Sequence, residues 1–236
     1  MTVRDEEMYT TLDVSRTSPA LAGSFQEGES TTLPSAVIDN ALPRTWDGRF
    51  AYVVSQVGSP PVLTSLAAAV TASVLSTSRA WAWAGVYVSI AILTPLLYLV
   101  WLVRRGQVTD LDVQLRRQRI GPLVFTSVCA GVAWLVLVLG AAPSLMVTLG
   151  SAVLLEMVVI FAITLCWKIS VHSAAAAGVS TLVWSLLGTP LPLLIAVPLI
   201  AWSRVRLGRH TLAQTIAGAL LGTAVFTTAF FLIGGW

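Results

Sequence analysis

Charge is scarce in this chain. Only 11% of its residues are Asp, Glu, Lys or Arg, against 56% hydrophobic, and the mean hydropathy is +0.82. That balance excludes an ordinary soluble domain with a polar surface and points to a chain whose solvent is lipid. Cysteine is nearly absent: Cys129 and Cys166 stand within or at the end of apolar segments. They show no zinc spacing and no disulfide framework, so both read as buried free thiols. Carboxylates vanish from the apolar stretches except for Glu156. Residues 1–40 are polar and acidic with no apolar h-region, so a cleavable signal peptide is not expected. No convincing internal repeat is present, which weighs against a transporter.

What the chain does have is long apolar runs, at roughly 62–78, 82–103, 122–140, 144–167, 172–188, 190–202 and 211–234. Most approach the ~20 residues that cross a ~30 Å hydrocarbon core. The expected fold class is therefore all-α, a polytopic transmembrane helical bundle of six to seven hydrophobic segments. Segments 172–188 and 190–202 are short and parted by Pro190 and Pro192, so they form either a shallow hairpin or spans with recessed polar ends. Upstream, residues 1–45 read as a flexible polar tail that lacks the apolar surface to offset chain entropy. Residues 46–61 read as an amphipathic interfacial segment, with Trp46, Phe50, Tyr52 and Val53 apolar and Gly58-Ser59-Pro60-Pro61 ending it.

The cations sort by side. If the chain crosses at each segment, every Lys and Arg except Arg79 falls on one face. The positive-inside rule makes that face cytoplasmic, which fits an inner or plasma membrane protein with a cytoplasmic N-terminus. Trp101, Trp167 and Trp202 lie just before the same face, as an aromatic belt would.

Three basic clusters converge there: Arg116-Arg117-Gln118-Arg119, Lys168 to His172, and Ser203 to His210. A phosphate group needs several fixed donors, and the guanidinium fork matches its oxygens two at a time. Each cluster opens an apolar segment, so helix N-termini add backbone donors and a positive dipole end. His172 and His210 are the only histidines, and two imidazoles divide acid and base roles near neutral pH. The plainer reading is topology charge touching anionic headgroups, which suits Arg104, Arg105, Arg206 and Arg209 best. Glu156 reads as a candidate intramembrane acid, on a proton path or beside a buried cation, or else as a protonated, hydrogen-bonded side chain. Gly218-x-x-x-Gly222 and the small run Ala174–Gly178 read as close helix packing.

The stretch from Ser203-Arg204 to His210 has the form S-R-x5-H, and Ser170-Val171-His172 supplies S-x-H. Together they resemble the third and second signatures of the type-2 phosphatidic acid phosphatase superfamily, so that 62–236 resembles a transmembrane phosphatase domain. The resemblance implies a metal-independent membrane phosphatase acting on a lipid phosphate or diphosphate through a phosphohistidine, without a cofactor. It makes His210 the nucleophile, His172 the general acid, and Arg204 a phosphate clamp. Ser170, Lys168, Arg116 and Arg119 would join in phosphate binding. The implied partners are the lipid substrate and membrane lipids, not nucleic acid; oligomeric state is not legible.

Three departures stand out. The first signature, K-x6-R-P, is not matched in spacing by Arg116, Arg117, Arg119 and Pro122. Ile169 and Val171 replace the Pro and Gly of the second. Gln214 stands where the third carries Asp; its carbonyl still accepts from an imidazole Nδ1–H but brings no negative charge. Two alternatives follow: a transferase or lyase acting on a prenyl diphosphate, with Asp110 and Asp112 its only, weak, magnesium candidates, or a non-catalytic relative that binds lipid phosphate.

Overall fold

Pro and Gly set most of the breaks between helices. The computed structural model describes residues 45–109, 111, 113 and 116–233, without the side chains of 116, 117, 232 and 233. The polar tail up to residue 44, Asp110, Asp112 and the side chain of Arg116 lie outside the described residues. Helix α1 (Trp46–Val57) buries a small-residue stripe of Gly48, Ala51 and Ser55, and exposes Trp46, Phe50, Val53 and Val57. Pro60 and Pro61 open α2 (Pro60–Leu75), where a missing N–H costs nothing. The axis bends by 47° between the two helices.

Thr77 then caps α3 (Ser78–Val88), its hydroxyl accepting from the Ala80 amide at 3.2 Å. A π-helical turn over Ser89–Leu93 joins α3 to α4 (Thr94–Arg104). Pro95 lacks the donor that would continue an α-helical ladder, and the wider turn absorbs the fault. Next come α5 (Arg116–Leu139), α6 (Ser144–Cys166), α7 (Val171–Leu187), α8 (Leu191–Arg206) and α9 (Leu212–Ile233). Among the described residues there is no strand.

Among the described residues, four helical stretches are long and apolar enough to cross a membrane: Ser78–Arg104, Gln118–Leu139, Ser144–Cys166 and Leu212–Phe231. The bent pair α1–α2 would make a fifth. Helix α7 is apolar but shorter, and α8 carries Pro198 within it. At one end of the bundle Arg79 donates to the Ala141 carbonyl at 2.9 Å, tying the α2–α3 turn to the α5–α6 turn. The opposite end gathers the turns at 167–170 and 207–211.

Helix α7 is the axis of the fold, with every residue from His172 to Leu182 buried. Its closest partner is α9, and glycine sets that approach. A Cβ at Gly218 would strike the Ser170 carbonyl oxygen, and one at Gly222 the Ala174 carbonyl oxygen. Backbone therefore packs on backbone, which fixes the start of α7 against the start of α9 within a narrow tolerance. One expectation fails here: Cys129 is buried, but Cys166 is exposed. It is the last residue of α6, where the helix emerges from its neighbours.

Candidate active site

The spacing S-R-x5-H has a backbone cause. Helix α8 ends at Arg206, Gly208 turns the chain at φ 65°, and the amides of Arg209 and His210 both fold back onto the Arg204 carbonyl, at 3.0 and 3.3 Å. This is a helix C-cap with glycine in the left-handed region. It returns His210 to the level of Arg204, so five intervening residues are one cap and its turn.

Helix α9 then begins with a reciprocal cap. Thr211 Oγ1 accepts from the Gln214 amide at 3.4 Å, and Gln214 Oε1 accepts from the Thr211 amide at 3.3 Å. The same Oε1 lies 2.9 Å from His210 Nδ1. Because a backbone N–H donates to it, that atom is the amide oxygen, and Nδ1 must carry the imidazole proton. Nε2 of His210 keeps its lone pair. The S-R-x5-H spacing alone conceals this double use of Gln214.

Arg204 is fully buried. Its Nη1 donates to Ser55 Oγ at 2.6 Å and faces His172 Nε2 at 3.5 Å. Ser55 comes from α1 and was not foreseen. The one signal for it was the Gly48/Ala51/Ser55 stripe, which marks a packed face without naming what it meets. Lys168 Nζ donates to the Arg209 carbonyl at 2.7 Å and locks the two turns together. Arg119 donates through Nε to the Val113 carbonyl at 2.6 Å and through Nη1 to the Ile169 carbonyl at 3.4 Å. Ser170 is fully buried and caps α7, its Oγ accepting from the Ser173 amide at 3.3 Å. Its own amide donates to the Gln214 carbonyl at 3.2 Å.

The structure thus brings together His172, His210, Gln214, Arg204, Lys168, Ser170 and Arg119. Glu156 sits apart, ten residues before the end of α6, so about 15 Å along the helix axis. Burial, then the charges of Arg119, Arg204 and Lys168, push the His210 pKa down to about 3, against a smaller upward pull from the Gln214 hydrogen bond. The imidazole is neutral at physiological pH and ringed by cations. That is the state of a nitrogen nucleophile waiting for an anionic partner.

Beside His172 lies a cavity of about 280 Å³, bounded by Gln56, Arg119, Glu156, Met157, His172 and Ala175 among others. Ala91 and Ile92 of the π-helical turn also face it, together with Pro60, Pro95 and Pro122. The irregularities of three helices therefore open one space. No protein-family model matches this chain, and neither does any curated protein or solved structure.

Proposed function

We propose that the chain is an integral membrane phosphatase of the type-2 phosphatidic acid phosphatase superfamily, hydrolysing a lipid phosphate or diphosphate. The observation that carries this reading is His210: its Nδ1 is held by Gln214 at 2.9 Å, while Arg204, Arg119 and Lys168 charge its surroundings. His210 Nε2 attacks phosphorus and the bond to the leaving oxygen breaks. His172, held as an imidazolium while the substrate's negative charge offsets Arg204 beside it, delivers its proton to that oxygen, leaving a phosphohistidine and a neutral His172. Water then gives a proton to His172 and attacks phosphorus; the P–N bond breaks, its electron pair returns to His210 Nε2, and phosphate leaves. The cations stabilise the equatorial oxygens throughout, so no metal enters the scheme.

In this reading α7 and α8 act as short spans, giving six to seven crossings and a site recessed below the headgroup plane. The cationic end faces the cytoplasm of a plasma or inner membrane, where isoprenoid diphosphates and phosphatidate are both within reach. The experiment is phosphate release from farnesyl diphosphate and phosphatidate in EDTA, comparing wild type with His210→Ala. Release that survives chelation and disappears with His210 supports the mechanism. Equal release by both proteins, or none from any lipid phosphate, overturns it.

A further inference from the structure

Glu156 is 3% exposed, lines the cavity beside His172, and among the described residues its Oε1 has no hydrogen-bond partner. The phenol oxygen of Tyr87, on α3, is likewise buried without a partner and within electrostatic reach of Glu156. Two unsatisfied polar groups near each other in an apolar core are costly, and an isolated alkyl chain would leave both unsatisfied. An intramembrane acid at the wall of a cavity is placed to meet something that forms hydrogen bonds.

The size of the space narrows the ligand. A cavity of about 150 Å³ accommodates one benzene ring, so about 280 Å³ takes roughly twice that, the carbons of one short chain segment rather than two acyl chains side by side. One end of the space is polar, where the cationic Arg119 lies beside the His172 imidazole. Val153, Met157 and Ala130 make its walls apolar, and Glu156 interrupts them.

We propose that this cavity holds a single hydrocarbon chain bearing an oxygen function part-way along it, with Glu156 as the hydrogen-bonding contact for that oxygen. The proposal rests on the phosphate site described above and adds a specificity determinant to it. The favoured ligand is a single-chain lipid phosphate with a hydroxyl or carbonyl in its tail, not a two-chain glycerolipid with plain acyl groups.

The test measures equilibrium binding of dodecyl phosphonate, which cannot be hydrolysed, and of its monohydroxy isomers to the full chain in lipid nanodiscs. Wild type binds the best hydroxy isomer about tenfold more tightly than the plain chain. Glu156→Gln keeps a preference, and Glu156→Leu binds both alike while remaining folded, because it removes an unsatisfied polar group. Equal binding of plain and hydroxy chains by wild type, or a preference that survives in Glu156→Leu, overturns the inference. Arg204→Ala separates the two readings. If it binds every phosphonate as well as wild type does, the phosphate site is wrong. A hydroxyl preference lost only in Glu156→Leu would then uphold the chain site alone. Absence of any binding rejects both.

Discussion

The two sides of α7 are built on opposite terms. Toward α9, small residues let backbone meet backbone, and turns and caps join the chains: Ser170 to Gln214, Lys168 to Arg209, Gln214 to both His210 and Thr211. On the cavity side, the α3–α4 stretch carries a π-helical turn and Pro95 and α5 carries Pro122, and a cavity remains with Glu156 of α6 unsatisfied in its wall. Tight packing fixes atoms within a narrow tolerance, as the proposed phosphoryl transfer would need. Loose packing leaves room for a flexible chain. The molecule places one beside the other, with His172 belonging to both.

The strongest way to break this division is at the nucleophile. His210→Ala should lower kcat/KM for lipid phosphate release by about a thousandfold or more while leaving cavity binding of a chain intact. Loss of both together would show that the two sides are not separable. Added volume tests the packing directly. Gly222→Ala puts a Cβ into the Ala174 carbonyl and should cost about 2 kcal/mol or more in a denaturation assay. Ala130→Val adds more volume on the cavity side, and there it should cost under about 1 kcal/mol.

The pH profile sharpens the electrostatic half of the comparison. With its pKa held at about 3, His210 stays unprotonated down to that pH, so it imposes no acidic fall in kcat/KM between pH 8 and 5. Gln214→Asp puts a carboxylate beside Nδ1, which favours the imidazolium and raises that pKa by about one to three units. The acidic limb should move up by the same amount, and turnover near neutral pH should rise because the charge developing on the imidazole is stabilised. An unchanged profile would remove His210 from the nucleophile role. Smallest of all, Ser55→Ala removes one of the partners of Arg204 and should raise KM for the phosphate about threefold to tenfold with little change in kcat.

Helix positions were legible because apolar runs and Pro/Gly breaks are local signals. The segments expected near 144–167 and 172–188 lie at Ser144–Cys166 and Val171–Leu187. The S-R-x5-H spacing has a local cause too, since the C-cap turn at Gly208 sets it, whereas Ser170-x-His172 opens α7. Ser55 was not, because its partner is 149 residues away and a serine on a small-residue stripe carries no mark of a catalytic neighbour. Cys166 was misplaced because hydropathy does not distinguish a face turned to lipid from one turned to protein. Ser170 offered a hydroxyl suited either to phosphate or to a cap, and only the start of α7 shows which group it holds. The cavity depends on how three separate faults align, and no single stretch of sequence contains that.

The contact between Ser55 and Arg204 also sets a schedule. Helix α1 is made early and α8 nearly last, and in between the whole bundle must enter the bilayer. Until α8 arrives, the serine has no guanidinium to hold, and the histidine turn has not been synthesised. Domains assemble largely in the order in which ribosomes deliver them, so a chain stalled anywhere before α8 would sit in the membrane as an inert set of helices. The cluster around Arg204 is complete only when α1 and α8 finally meet.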